Sequence, residues 1–190
     1  DVGQVQIISG LTGKSLHIET GSKAKDGIGI TLAGNADINS DGYSDVVIGI
    51  PRFDANGLKD AGRVVIIYGG PEPTVHYLDG ETAKALFGSA VAVADVDNDN
   101  FADILVGSPK DNTEKLKHAG SVTVYSGSQP SVILTQYFGT QNKAFAGTSV
   151  AAANVDGIDG AEIIIGAAND DDMRSGRIID AGSVKVYRLN

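Results

Sequence analysis

Short apolar runs recur along the chain and alternate with polar segments rich in glycine, asparagine and aspartate. The runs hold mostly valine and isoleucine, as in residues 46–50, 64–67 and 104–106. Short runs of this kind, bounded by turn residues and without helical spacing, are typical of β-strands. The pattern therefore predicts an all-β fold.

The predicted strands follow one another in an order that repeats. Four predicted strands begin at Ile28, the same order returns from Phe87, and it returns from Phe145 without its fourth strand. Two further strands precede them, at 2–9 and 14–19. Repeats of four short strands indicate the blades of a β-propeller.

We therefore predict about three β-propeller blades, each of four antiparallel strands, and an additional half-blade. Residues 1–27 would be the C-terminal half of a preceding blade, 28–86 and 87–144 two complete blades, and 145–190 a blade that lacks its outer strand. Glycines recur inside the second strands, where a missing side chain would let neighbouring blades or a bulge approach closely. Tyrosines recur at one position, where we expect packing residues. These residues are Gly49, Gly107 and Gly166, and Tyr68, Tyr125 and Tyr187.

Each repeat carries an acidic loop between its first two predicted strands. The first acidic loop spans 37–45, the second 95–103 and the third 154–162. Oxygen-bearing side chains at alternate positions of a tight loop converge on one point, and Ca²⁺ prefers a shell of oxygen ligands. The ligands predicted for the first loop are Asp37, Asn39, Asp41, Asp45 and the carbonyl of Tyr43; those for the second are Asp95, Asp97, Asp99, Asp103 and the carbonyl of Phe101.

The third acidic loop departs from this spacing. Asn154, Asp156 and Glu162 stay in register, whereas Ile158 takes the fifth position and Asp159 lies one residue out of register. Fewer charged ligands lower the affinity for Ca²⁺. We therefore expect two calcium sites, with a third that is weak or absent.

Two other interpretations of the loops compete with calcium binding. An EF-hand would need a glutamate at the twelfth loop position and flanking helices, but Ile48 and Val106 stand there inside strand-like runs. A solvated acidic face with local turns is the plainer alternative. Carboxylates at every second position repel one another unless a cation joins them, which favours cation binding.

The framing residues resemble the FG-GAP repeat, the unit of the seven-bladed β-propeller in integrin α chains. Phe87-Gly88 stands for the "FG", and residues 46–51 and 104–109 stand for the "GAP" element around the matching calcium loop. Ile28 replaces the phenylalanine of the first repeat, and the third inserts Ala146. The resemblance implies calcium in the loops, an extracellular location and ligand binding at the end opposite the loops.

Charge and composition exclude several functions. The formal net charge of −9 disfavours nucleic acid as a partner, and no segment is apolar enough to insert into a membrane. The chain has no cysteine, which excludes disulfides, thiolate metal sites and a cysteine nucleophile. The histidines, His17, His76 and His118, have no nucleophile or metal-ligand spacing beside them. We therefore expect a segment that is not an enzyme.

The expected function is a calcium-binding extracellular β-propeller module for adhesion or ligand recognition. The alternatives are a non-catalytic propeller segment of a larger secreted enzyme such as a phospholipase, or a structural spacer. The expected partners are a protein or glycan ligand on the face opposite the calcium loops, and the remaining blades, from a parent chain or from a second copy. The loops assigned to that face vary between repeats and span 20–27, 52–60, 79–86, 110–118, 138–144 and 169–180.

Overall fold

The computed structural model describes residues 2–171 and 179–189, and the predicted all-β fold is confirmed there. Thirteen strands form four antiparallel sheets, and no helix occurs among these residues. The first sheet pairs β1 (Gln4–Ile8) with β2 (Ser15–Thr20). The second sheet contains β3 (Thr31–Ala36), β4 (Asp45–Ile50), β5 (Arg63–Tyr68) and β6 (Thr74–Asp79). The third contains β7 (Ala90–Ala94), β8 (Asp103–Ser108), β9 (Ser121–Tyr125) and β10 (Ile133–Phe138), and the fourth β11 (Ala146–Ala153), β12 (Glu162–Ala167) and β13 (Ser183–Tyr187).

The second and third sheets are meanders of four strands, in the orders β3-β4-β5-β6 and β7-β8-β9-β10. Such sheets match the predicted blades of four antiparallel strands. Because the strands alternate in direction, the acidic loops and the loops after β5 and β9 emerge at one end, and the remaining connections emerge at the other, called here the opposite end. The blade boundaries along the sequence stay predictions.

The inner strands of these sheets bury both faces. In β4, Val47 packs into a core shared with the third sheet, whereas its neighbour Ile48 packs toward β1. In β8, Ile104 faces the second sheet and Leu105 faces the fourth. Successive side chains of a strand point to opposite faces, so a continuous apolar run gives a strand covered on both sides. The sheets therefore stack face to face.

Two of the recurrent glycines lie where neighbouring sheets touch. A Cβ on Gly49 would overlap the carbonyl oxygen of Gly88, and one on Gly107 would overlap that of Gly147. At Gly166 the obstacle is the hydroxyl of Ser149, beside a register shift in β11 of the same sheet. The predicted close approach is confirmed at all three positions.

The recurrent tyrosines are packing residues. Tyr68 and Tyr125 contact the core between the second and third sheets, and Tyr187 contacts the next core, where its ring stacks on Tyr137 with centroids 4.3 Å apart.

The described residues include no helix with the length and hydrophobicity to cross a membrane.

Candidate metal centre

The first acidic loop connects β3 to β4 and is folded around its own carboxylates. Asp37 accepts hydrogen bonds from the backbone N–H groups of Asp41 (3.0 Å) and Gly42 (2.8 Å). Asp41 in turn accepts one from Tyr43 N–H (2.9 Å). Gly42 has a φ of 89°, a left-handed conformation that suits glycine and reverses the chain within the loop. These bonds hold side-chain oxygens on the inner side of the loop.

The second acidic loop connects β7 to β8 and repeats the same bonds. Asp95 accepts hydrogen bonds from Asp99 N–H (3.2 Å) and Asn100 N–H (2.9 Å), and Asp99 accepts one from Phe101 N–H (2.9 Å). One carboxylate oxygen from each of Asp95, Asp97 and Asp99 lies within 4.8 Å of the others. Three carboxylates so close together form an arrangement that a divalent cation can bridge.

The last carboxylate of each loop is buried and ties the loop to its sheet. Asp45 accepts hydrogen bonds from Ile38 N–H (2.7 Å) and, across the sheet, from Gly69 N–H (2.8 Å). Asp103 accepts the equivalent pair from Val96 N–H (2.9 Å) and Gly127 N–H (2.9 Å). Asp45 and Asp103 therefore have a structural role whether or not a cation is present.

Burial and charge repulsion act on these carboxylates. Burial raises the pKa of Asp103 to about 6 and also raises the pKa of Asp45, while the backbone hydrogen bonds act in the opposite direction. Asp97 is exposed, and its pKa is raised by partial desolvation within the loop and by the charges of Asp99 and Asp95. The loops thus hold carboxylates that repel one another when they are ionised, and a bound cation would relieve that repulsion.

Among the described residues, three predicted carboxylate ligands lie within 4.8 Å of one another only in the second loop, where they are Asp95, Asp97 and Asp99. Asn39 lies beside Asp41, to which its amide donates a 2.9 Å hydrogen bond, and Ser40 donates to the carbonyl of Asn100 in the second loop (3.2 Å). Neighbouring acidic loops therefore touch. The predicted use of the Tyr43 and Phe101 carbonyls as ligands stays a prediction.

The third acidic loop has a different interior. The Asn154 side chain accepts a hydrogen bond from Gly157 N–H and donates one to the carbonyl of Ile158, both at 2.7 Å. Glu162 accepts one from Val155 N–H (2.7 Å), and its other carboxylate oxygen is buried without a hydrogen-bond partner. The first position of the third loop, Asn154, thus bonds to the backbone of its own loop and brings no negative charge, whereas the first two loops have an aspartate there.

In the third loop a positively charged side chain, Arg188, binds the loop where the other loops would hold a metal ion. Its guanidinium donates to Asp156 Oδ2 (3.0 Å) and to the carbonyl of Asp159 (2.7 Å). The sequence analysis missed this residue because it lies 26 positions beyond Glu162, on the segment after β13. A signal was present, since Arg188 directly follows the recurrent Tyr187, where the other repeats have Gly69 and Ser126.

Replacing Arg188 tests whether this guanidinium holds the third loop. We expect Arg188→Gln to lower the free energy of unfolding by about 0.5–1 kcal/mol, because both partners are partly exposed, at 30% and 42%. The melting temperature should fall by about 1–4 °C, equally with calcium and with chelator. Arg52→Gln is the control, because Arg52 is exposed and makes no ion pair among the described residues. A loss that calcium reverses would contradict the assignment.

The fold and the loops define a class, namely all-β repeat proteins whose four-stranded blades carry an acidic loop between the first and second strands. The family model for the FG-GAP repeat matches residues 31–67 and 87–125, which contain the first three strands of the second and third sheets, except for Tyr68. The chain therefore contains FG-GAP repeats, and the resemblance inferred from the sequence is confirmed.

Relatives of this chain include a phospholipase D and two integrin alpha chains. Phosphatidylinositol-glycan-specific phospholipase D of Bos taurus is 40% identical over 106 residues, which are 50% of this chain and 13% of that protein. Integrin alpha-5 of Xenopus laevis is 31% identical over 181 residues, 87% of this chain and 17% of that protein. Integrin alpha-6 of Gallus gallus is 40% identical over 102 residues, 49% of this chain and 8% of that protein. The chain thus spans less than a fifth of each of these relatives.

Proposed function

We propose that the chain is a calcium-stabilised, non-catalytic propeller module for adhesion or ligand recognition outside the cell. The observation that carries the calcium part is the matched pair of acidic loops, in which equivalent carboxylates accept equivalent backbone hydrogen bonds. In this proposal Asp37, Asn39, Asp41 and Asp45 hold one ion, and Asp95, Asp97, Asp99 and Asp103 hold another. Flexible all-oxygen loops suit Ca²⁺ better than the octahedral Mg²⁺.

Calcium titration of the metal-free protein tests the two sites. We expect calorimetry to give about two sites, with Asp41→Ala removing one and Asp97→Ala the other. Asp156→Ala is the matched control, because it alters the third loop, where Arg188 already binds this carboxylate. Three equally tight sites would overturn the ranking of the loops, and no binding heat would overturn the calcium proposal.

The same sites should stabilise the fold. If the dissociation constants are about 0.1–1 mM, as in extracellular modules, then 1 mM calcium adds roughly 0.4–1.4 kcal/mol per site to the free energy of unfolding. Thermal melting with calcium and with chelator measures this gain, and superimposable curves would contradict it. Sites of this affinity would stay empty at cytosolic calcium levels, so a measured dissociation constant in this range would support an extracellular location.

The recognition part rests on the loops of the opposite end, which vary in length and sequence on a repeated scaffold. The integrin relatives, which match up to 87% of this chain, favour adhesion. A structural spacer is the competing possibility. An array of glycan and protein ligands separates the two, because a spacer would retain none of them.

The second candidate is a propeller segment of a larger secreted enzyme. The observation that favours it is the 40% identity to phosphatidylinositol-glycan-specific phospholipase D, although this covers only half of the chain. In that case catalysis would belong to another domain of the parent protein. The full-length gene decides, because an enzyme would encode a catalytic domain outside these 190 residues.

The first and fourth sheets each expose apolar side chains on the face that no other described sheet covers. Val184 and Val186 on β13 are 70% and 54% exposed, and Ile8 and Leu16 on the first sheet are 56% and 60% exposed. We propose that further blades cover these faces, either from a parent chain or from a second copy. Light scattering on the purified chain should therefore show self-association or a discrete dimer. A stable, well-folded monomer would contradict both arrangements.

A further inference from the structure

Exposed cations recur at equivalent positions of the opposite end. Lys25, Lys84 and Lys143 each stand four residues before the glycine that opens a blade, and each has a left-handed backbone, with φ of 72°, 65° and 60°. Glycine or asparagine would adopt this conformation at lower cost. A lysine nevertheless occupies all three positions, and each of its side chains is exposed.

Two further rows of cations lie beside the first. Arg52 and Lys110 are equivalent in the loops after β4 and β8, and Lys59 and Lys117 are equivalent near the ends of the same loops. All four are exposed. Together with Lys25, Lys84 and Lys143 they form what we call the lysine face.

Backbone hydrogen bonds hold the three rows together where neighbouring sheets meet. Lys84 N–H donates to the carbonyl of Lys59 (2.8 Å), and Lys143 N–H donates to the carbonyl of Lys117 (2.9 Å). Lys110 N–H donates to the carbonyl of Ala85, the residue after Lys84 (3.2 Å). The repeat thus places a group of two or three cations at each junction, and successive junctions carry similar groups.

Four acidic side chains of the same loops are paired or buried within the protein. Asp54 pairs with Lys23, and Asp79 with Arg63. Asp111 is buried and accepts a hydrogen bond from Ser121.

The lysine face stays unpaired. Asp26 is fully buried against Ser22 and Lys23, which leaves Asp60, Glu81 and Glu114 as the other acids of loops 20–27, 52–60, 79–86 and 110–118. None of the seven cations of the lysine face makes an ion pair within the described part of the chain, although four other cations do. The lysine face thus consists of seven exposed cations without an ion pair among the described residues, with Asp60, Glu81 and Glu114 as the acids that remain near them.

We propose that the lysine face binds a sulfated polysaccharide. This inference rests on the proposed recognition role of the opposite end and names the ligand class. None of the seven cations lines any of five cavities that the described residues form, and an exposed face of this kind suits an extended polymer better than a small anion. Lysines are flexible point charges without the planar fork of arginine, and they suit densely charged sulfates better than the single carboxylates of an acidic peptide.

Binding of a labelled heparin oligosaccharide, measured by fluorescence anisotropy across a salt series, tests the proposal. The logarithm of the affinity should fall linearly with the logarithm of the salt concentration. The triple variant Lys25→Gln, Lys84→Gln, Lys143→Gln should bind more weakly and reduce that slope by about one for each lysine. Glutamine meets the same backbone strain as lysine, and thermal melting checks that the fold is retained.

The matched pair of single variants is Lys84→Gln and Lys14→Gln. Lys14 is also exposed and makes no ion pair among the described residues, but it lies in the β1–β2 turn at the acidic-loop end. We expect Lys84→Gln to weaken heparin binding and Lys14→Gln to leave it unchanged. Equal effects of the two variants, or tighter binding of polyglutamate than of heparin, would overturn the proposal.

Measurements in calcium and in chelator separate this inference from the calcium proposal. The two ends are about 20 Å apart along a six-residue strand, whereas charges are screened over about 8 Å at physiological salt. Heparin affinity of the folded protein should therefore be the same in both conditions. Failure to bind heparin beside a normal calcium titration overturns the lysine face alone, and heparin binding without calcium binding overturns the calcium sites alone.

Discussion

Asp103→Ala should destabilise the protein by about 1–3 kcal/mol even in chelator, because the substitution removes the acceptor of two buried backbone N–H groups. Each unsatisfied buried donor costs about 1–3 kcal/mol. Loss of a buried charge offsets part of this cost in the metal-free protein, since burial raises the pKa of Asp103 to about 6. With calcium bound that offset disappears, so the loss should be larger in calcium than in chelator. Urea unfolding in both conditions measures the difference.

Asp97→Ala is the control for this prediction. Asp97 is exposed, and the one N–H that it accepts, from Asp99, is also within reach of Asp95. In chelator we therefore expect little change in the free energy of unfolding, whereas in calcium the stabilisation from the second site should be lost. If Asp97→Ala and Asp103→Ala had the same effect in chelator, the structural role assigned to Asp103 would be wrong.

The fold was predictable from the sequence because the signals are local. Valine and isoleucine runs between turn residues predicted the strands, and their repeated order predicted the four-stranded sheets. The recurrent Gly49 and Gly107 indicated close approach but could not reveal the partner. The structure shows that the partners are the carbonyls of Gly88 and Gly147, at the start of the next repeat. A contact between repeats has no local signature in the sequence.

The candidate site was predictable to the same extent. The alternate oxygens of each acidic loop are a local pattern, and three side chains predicted for the second loop, Asp95, Asp97 and Asp99, lie within 4.8 Å of one another. The N–H donors of Gly69 and Gly127 come from 24 residues away, on the loops after β5 and β9. Arg188 is likewise remote from the third loop. Such partners follow from strand pairing, which single-residue patterns do not contain.

The glycines at the sheet contacts give the last prediction. Gly107→Ala should lower the free energy of unfolding by about 2 kcal/mol or more, because the new methyl group would overlap the Gly147 carbonyl and force two sheets apart. Gly166→Ala should cost less, because the Ser149 hydroxyl can rotate away whereas a backbone carbonyl cannot. Urea unfolding of the two variants in calcium ranks them.

Gly10→Ala is the matched control for this ranking, because no atom lies within 4 Å of a Cβ placed there and its backbone is not left-handed. Replacing such a glycine restricts the unfolded chain and is neutral or stabilising by up to about 1 kcal/mol. The expected order of stability is therefore Gly10→Ala, then Gly166→Ala, then Gly107→Ala. If Gly107→Ala were as stable as Gly10→Ala, the third and fourth sheets could not be packed as closely as the structure places them. The stacking of one blade on the next depends on that contact.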